Sequence, residues 1–79
     1  MTNIEKYNKV FVETFDVKET DLAELKYKSA PAWDSVGQMT LISEIEEAFD
    51  ISIAPDDFML INSYEAGKRI LTDNYQIIF

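Results

Sequence analysis

The sequence contains no cysteine and no histidine, and these absences exclude several kinds of chemistry. Without cysteine the chain cannot form a disulfide framework or a thiolate metal site. Without histidine it lacks the usual general base and the commonest nitrogen ligand, so a Ser-His-Asp or Cys-His nucleophile system cannot be built. We therefore expect neither a metal site nor unaided catalysis, and we predict that the protein is not an enzyme.

Basic residues are scarce as well. Seven Lys and Arg stand against 15 Asp and Glu, which gives a net charge of −8. This balance argues against binding to nucleic acid or to an anionic membrane, because both attract cationic side chains. The sequence has no apolar run of about 18 residues and no basic start followed by an apolar stretch, as a membrane span or a secretory signal would require. We expect a cytoplasmic protein whose partners are basic proteins.

The chain is short but rich in apolar residues. Its 79 residues are 47% hydrophobic and 13% aromatic, which is too apolar for a disordered tail and sufficient for one small core. We expect residues 1–79 to form a single domain, and we expect a monomer.

The negative charge is unevenly distributed along the chain. Residues 29–67 contain no Lys or Arg, whereas the remainder has seven acidic and seven basic side chains. A segment of one sign can steer oppositely charged partners, although a charge run considered alone favours a solvated acidic face that keeps the protein soluble. The acidic residues of this segment are Asp34, Glu44, Glu46, Glu47, Asp50, Asp56, Asp57 and Glu65.

The first third of the chain predicts a helix followed by a long loop. Thr2 and Glu5 have the spacing of a capping box, and apolar residues recur at helical spacing as far as Phe15. From Asp16 to Pro31 this pattern breaks into a polar connection, in which one helical turn is expected near Asp21. The apolar residues of the first helix are Ile4, Tyr7, Val10, Phe11 and Phe15.

Three further helices are predicted after this loop. Asp34 caps a second helix from about Ser35 to Phe49, and Pro55 opens a short third helix that covers Phe58, Leu60 and Ile61. Ser63 caps a fourth helix with Tyr64, Gly67, Ile70 and Leu71 on its inner face. Strands are not supported. We predict an all-α fold, a small four-helix bundle of three main helices and a short third one, with a long first loop.

The second helix has apolar residues on both sides. With residues about 100° apart, Leu41, Ile42, Ile45, Ala48 and Phe49 form a stripe that faces the core. Val36 and Met39 fall on the opposite side. The first loop covers them, or they are the apolar centre of a docking surface with an acidic rim, and the two explanations are compatible. The residues assigned to this candidate docking surface are Val36, Met39, Thr40, Glu44, Glu46, Glu47, Asp56 and Asp57.

Ser35 lies at the start of the second helix. Free backbone N–H groups and the positive end of the helix dipole favour a bound or attached phosphate there. Asp-Ser is also an ordinary helix cap, so this pair of residues is weak evidence by itself. Gly37 follows in the first turn, and glycine costs about 1 kcal/mol relative to alanine inside a helix. We therefore expect a loose first turn.

The chain resembles the acyl carrier protein family over its whole length. The resemblance is carried by Asp34-Ser35-Val36-Gly37-Gln38-Met39, then Leu41, Ile42, Ile45, Glu46, Glu47 and Phe49, and then Ile51-Ser52-Ile53. In that family an Asp-Ser-Leu motif opens the second of four helices and a Leu/Ile-Glu-Glu-x-Phe run closes it. The resemblance implies that Ser35, preceded by Asp34, accepts 4′-phosphopantetheine from coenzyme A. The thiol that the sequence lacks would arrive on this arm and hold acyl groups as thioesters.

The resemblance also implies partners. A separate Mg²⁺-dependent phosphopantetheinyl transferase (holo-ACP synthase) would load the arm, and acyl-transferring, ligase or synthase enzymes with basic docking patches would use it. Val36, Gly37 and Thr40 depart from the family pattern. Trp33 directly before Asp34, with Gly37-Gln38-Met39 after it, looks more like a stand-alone carrier of a specialised pathway, or a carrier domain of a modular synthase, than the main carrier of fatty-acid biosynthesis. Trp33 itself is expected to pack the loop against the bundle. The alternative hypothesis is an unmodified acidic helical module that binds a basic protein.

Overall fold

The computed structural model describes residues 1–79 and contains only helices as regular elements. The four α-helices are α1 (Asn3–Phe15), α2 (Ser35–Phe49), α3 (Pro55–Phe58) and α4 (Tyr64–Tyr75), and a 3₁₀ helix (Glu19–Glu24) lies in the first loop. The predicted all-α bundle is confirmed. An isolated antiparallel bridge between Lys26 and Ser63 is the only extended pairing. None of the helices combines the length and apolar character needed to cross a membrane.

The three main helices begin at the predicted caps. Thr2 and Glu5 form the capping box of α1, with the Glu5 N–H donating to Thr2 Oγ1 and the Thr2 N–H donating to Glu5 Oε1 at 2.8 Å. The Asp34 carboxylate accepts from the third N–H of α2, and Ser63 Oγ accepts from the Ala66 N–H in α4 at 2.9 Å. Each cap satisfies an N–H group that has no partner inside its helix, so short-range hydrogen bonding determines where these helices start.

The third helix is shorter than the sequence predicts. It ends at Phe58, and Leu60, which was expected inside it, is 53% exposed. The carbonyl groups of Phe58 and Ile61 both accept hydrogen bonds from the side chain of Gln38 in α2. The chain after α3 is therefore bonded to α2 instead of continuing as a helix, and only Ile61 of this segment enters the core.

The core is built around aromatic rings. Trp33 is completely buried and stacks on Phe15 with ring centroids 4.7 Å apart, so it packs the end of the first loop against α1 as predicted. The inner face of α2 is narrower than expected, because Ala48 and Phe49 are only partly buried. The core consists of Tyr7, Val10, Phe11, Phe15, Leu22, Leu25, Ala30, Trp33, Leu41, Ile42, Ile45, Ile61, Tyr64, Leu71 and Ile77.

The first loop is fastened to the start of α4. The Tyr27 N–H donates to the Asn62 carbonyl at 2.8 Å, and the Tyr64 N–H donates to the Leu25 carbonyl at 2.9 Å. Leu25 is buried beneath this pairing, whereas Tyr27 stays half-buried. The pairing brings the side chain of Tyr27 to the N-terminal end of α2, where Ser35 lies.

Candidate functional site

Ser35 is the first residue of α2, and its side chain is exposed. The Asp34 side chain accepts from the Gly37 N–H at 2.9 Å, while the N–H groups of Ser35 and Val36 have no partner within the chain. Two free N–H groups and the positive end of the helix dipole thus lie beside an accessible hydroxyl. This arrangement fits a phosphodiester attached at Ser35 Oγ.

Gly37 holds the first turn of α2 tightly against the loop, which corrects the expectation of a loose turn. Gly37 is buried, and a Cβ atom placed on it would overlap the carbonyl oxygen of Ala32 and lie 3.2 Å from a ring carbon of Phe15. A glycine is present here because backbone and aromatic ring approach too closely for any side chain. The close approach braces the turn that carries Ser35.

Gln38 is a buried polar residue that sequence reasoning missed. It is 1% exposed, and its Oε1 accepts from the Trp33 indole N–H at 2.7 Å. Its Nε2 donates to the carbonyls of Phe58 and Ile61 at 2.8 and 2.9 Å. One carboxamide therefore joins the loop before Ser35, the start of α2 and the segment after α3. The signal was available, because Gln38 precedes Leu41 by one helical turn on the apolar stripe.

The apolar residues on the outer side of α2 are open to solvent. Val36 is 70% and Met39 63% exposed, so the idea that the first loop covers them is wrong. Met59 and Leu60 are similarly exposed, in the segment that Gln38 ties to α2. Sequence reasoning did not find these two residues, because it assigned Leu60 to a helix. The start of α2 is thus accompanied by four exposed apolar side chains.

The acidic residues of α2 differ in their exposure to solvent and in their contacts. Glu44 and Glu47 are exposed and line a surface groove between α1 and α2, together with Thr40 and two cations of α1, Lys6 and Lys9. The only ion pair in the chain joins Lys68 and Glu65 of α4, at 3.9 Å. The carboxylates of α2 therefore make no close ion pair.

Glu46 is less exposed to solvent than Glu44 and Glu47. It is half-buried, and its carboxylate accepts from the Ile53 N–H at 2.8 Å. This bond holds the chain that leads from α2 to α3, so Glu46 has a structural contact in addition to any role at the surface.

The two acidic residues of α3 lie in different environments. Asp56 is exposed, but Asp57 is buried and accepts from the Tyr75 hydroxyl at 2.8 Å and from the Asn74 amide at 3.2 Å. The Tyr75 oxygen in turn accepts from the Ala54 N–H at 2.7 Å. Burial, opposed by this N–H and reinforced by the Asp57 carboxylate, raises the pKa of Tyr75. The assignment of Asp57 to the docking surface is corrected, because its carboxylate ties α3 to the end of α4.

No group of three or more Asp or Glu side chains is arranged to hold a metal ion. The chemistry available at this end of the molecule is that of an exposed hydroxyl, two free N–H groups and an apolar, acidic surface around them.

Comparison with known families gives one match. Residues 33–66 match the model of the phosphopantetheine attachment site. This span runs from Trp33 through α2 and α3 into the first turn of α4, and it includes Ser35. Comparison with curated proteins and with solved structures found no match. The family match confirms the resemblance to phosphopantetheine-bearing carriers and the expected group, 4′-phosphopantetheine.

Proposed function

We propose, from the match of residues 33–66 to the phosphopantetheine attachment site, that this protein is an acyl carrier whose arm is attached to Ser35. The observation that carries this proposal is the exposed Ser35 hydroxyl beside two unpaired N–H groups at a capped helix start. With the arm attached, its terminal thiol holds acyl groups as thioesters.

The other hydroxyl groups of the matched span are less suitable. The Thr40 hydroxyl donates to the Val36 carbonyl at 3.2 Å within α2, and Ser63 Oγ is the cap of α4. Ser43 is exposed but lies in the middle of α2, where the backbone N–H groups are used by the helix. Ser52 is exposed as well, but it lies in the chain between α2 and α3 and not at a helix start. Ser35 alone combines exposure with a helix end that stabilises a negative charge.

Loading of Ser35 requires a catalyst that this chain does not contain. The reaction forms a bond between Ser35 Oγ and the phosphorus next to pantetheine, and it breaks the bond from that phosphorus to the adenosine bisphosphate leaving group of coenzyme A. The hydroxyl proton must pass to a base. We assign that base to a phosphopantetheinyl transferase, since the chain has no histidine.

We propose that partner enzymes dock on the surface around Ser35. Val36 and Met39, with the neighbouring Met59 and Leu60, supply an exposed apolar centre. The assigned rim residues that remain at the surface are Thr40, Glu44, Glu46, Glu47 and Asp56. An apolar centre with a charged rim suits a protein interface, and the negative sign favours partners with basic patches. These partners would be the transferase and acyl-handling enzymes of fatty-acid or specialised biosynthesis.

Several expectations stay predictions. They are the single domain formed by residues 1–79, the monomeric state and the cytoplasmic location. The choice between fatty acyl, polyketide and peptide cargo also stays open.

The proposal is tested by loading the unmodified protein. The protein is incubated with coenzyme A, Mg²⁺ and a promiscuous phosphopantetheinyl transferase, and its intact mass is measured. We expect the wild-type chain to gain the mass of one arm and Ser35→Ala to gain none. Ser43→Ala removes a hydroxyl from the same helix and should load like the wild type.

Two results would contradict the proposal. One is a wild-type chain that gains no mass, and the other is a Ser35→Ala chain that gains the same mass. A native protein that carries only its sequence mass, and whose Ser35→Ala variant still binds a basic partner, would support the unmodified interaction module instead.

A further inference from the structure

The hydroxyl of Tyr27 is the side-chain partner of Ser35. The two oxygen atoms lie 3.3 Å apart, and Ser35 Oγ has no other hydrogen-bond partner. Tyr27 is eight residues earlier in the chain and lies outside the matched span of residues 33–66. The family match therefore assigns no role to this contact.

The backbone around Tyr27 is held on both sides, so its ring is well placed. The Tyr27 N–H donates to the Asn62 carbonyl at 2.8 Å, in the pairing that fastens the first loop to α4. The next N–H, that of Lys28, donates to the Trp33 carbonyl at 2.9 Å. A half-buried ring on such a backbone has few rotamers to lose, so a contact made by its hydroxyl costs little conformational entropy.

The contact between Ser35 and Tyr27 loses one of its two possible hydrogen-bond donors when Ser35 is modified. A serine hydroxyl and a tyrosine hydroxyl can each donate or accept, so either oxygen can be the donor in the unmodified chain. Once Ser35 Oγ has lost its proton to the transferase and is bonded to phosphorus, it can only accept, as can the other phosphate oxygens. Tyr27 then has the one hydrogen available for this contact, and a hydrogen bond to an anionic oxygen is stronger than one between neutral groups.

A cation, Lys28, also lies beside the Tyr27 ring. Residues 29–67 contain no Lys or Arg, and Lys28 is the last cation before them. Its Nζ lies 5.6 Å from the centroid of the Tyr27 ring. A phosphodiester at Ser35 would thus have the Tyr27 hydroxyl beside it, on a ring that itself has a cation nearby.

We propose that Tyr27 is the positioning residue of the attachment site. Its hydroxyl orients Ser35 Oγ for loading, and it donates a hydrogen bond to the phosphodiester once the arm is attached. This inference rests on the proposed attachment of the arm to Ser35.

The test uses Tyr27→Phe, which removes the hydroxyl and keeps the ring. We expect kcat/KM for loading by the transferase to fall about three- to tenfold, the effect of one hydrogen bond at a partly exposed site. We also expect the phosphorus NMR resonance of the loaded protein to shift relative to the wild type, because a donor to the phosphodiester is missing. The matched control is Tyr75→Phe, which removes a hydrogen-bonded tyrosine hydroxyl at the far end of α4.

The control separates a local role of Tyr27 from a general loss of stability. Tyr75→Phe should unfold at a lower temperature than the wild type yet load at the wild-type rate and keep the wild-type phosphorus resonance. An unchanged loading rate or an unchanged resonance in Tyr27→Phe overturns the inference, as does an equal loss of loading in Tyr75→Phe. If the wild type and both variants all fail to gain mass, the attachment proposal itself has failed.

Discussion

Replacing Gln38 with leucine nearly preserves the volume of the side chain but removes three hydrogen bonds, two of them buried and one partly buried. The bonds join Gln38 to the Trp33 indole N–H and to the carbonyls of Phe58 and Ile61, over 2.7 to 2.9 Å. In Gln38→Leu the indole N–H is left buried without an acceptor, since Trp33 is completely inaccessible to solvent. The variant therefore tests whether this carboxamide braces the attachment site.

The magnitude follows from the balance of polar and apolar terms. Each buried hydrogen bond contributes about 0.5–1.5 kcal/mol, and an unpaired buried donor costs about 1–3 kcal/mol. Leucine offsets part of this loss by about 1–2 kcal/mol, because it is more favourable in an apolar site. We expect the free energy of unfolding to fall by about 2–4 kcal/mol. A domain of this length has a total stability of about 4–12 kcal/mol, so the loss is a large fraction of it.

The measurement is urea unfolding followed by the fluorescence of Trp33, the only tryptophan, and by circular dichroism. A second variant, Gln38→Glu, separates the two roles of the carboxamide, since a carboxylate can accept from the indole N–H but cannot donate to the two carbonyls. It should be less stable than Gln38→Leu at pH 7 and should regain stability as the pH falls and the carboxyl becomes a donor. Ser43→Ala, on the exposed face of the same helix, is the control and should change stability by less than about 0.5 kcal/mol. The reasoning is refuted if Gln38→Leu is as stable as this control.

Two further predictions concern the first turn of α2 and the docking surface. Gly37→Ala should lower the free energy of unfolding by about 1–3 kcal/mol, because the added methyl group meets the Ala32 carbonyl. Helix propensity alone predicts that the free energy of unfolding rises by about 1 kcal/mol. A rise measured by urea unfolding would contradict the packing argument. Replacing Glu44 and Glu47 with lysine should slow association with the transferase in stopped-flow measurements and flatten its salt dependence. Asp73→Lys on α4 is the control of equal charge change per site, and unchanged rates in the α2 variant would count against the docking surface.

The helix starts could be predicted because their causes lie within a few residues of one another. A cap is a side chain that accepts from an N–H two or three positions later, so Thr2, Asp34 and Ser63 could be read directly. The outward direction of Val36 and Met39 followed in the same way from helical periodicity. The helix start also places Ser35 at the dipole end of α2, but its assignment as the attachment residue came from the resemblance of the surrounding motif to the carrier family.

The misreadings have long-range causes. The end of α3 was misplaced because its carbonyls bond to Gln38, some 20 residues earlier in the chain. Asp57 was assigned to the surface because its partner Tyr75 lies 18 residues away. Gly37 was read as a weak point because the sequence does not reveal that the backbone of Ala32 passes over it.

The order of the chain was thus sufficient for the location of the negative charge, for the starts of the main helices and for the motif that points to Ser35. The helix starts and their caps depend on neighbours within one helical turn. The surroundings of that serine depend on contacts that the folded chain alone creates. The Tyr27 hydroxyl reaches Ser35 only because the first loop is bonded to the start of α4, and Gln38 has its partners only because three separate segments meet. Local hydrogen bonding places Ser35 at a helix end, and tertiary packing determines which groups surround it there.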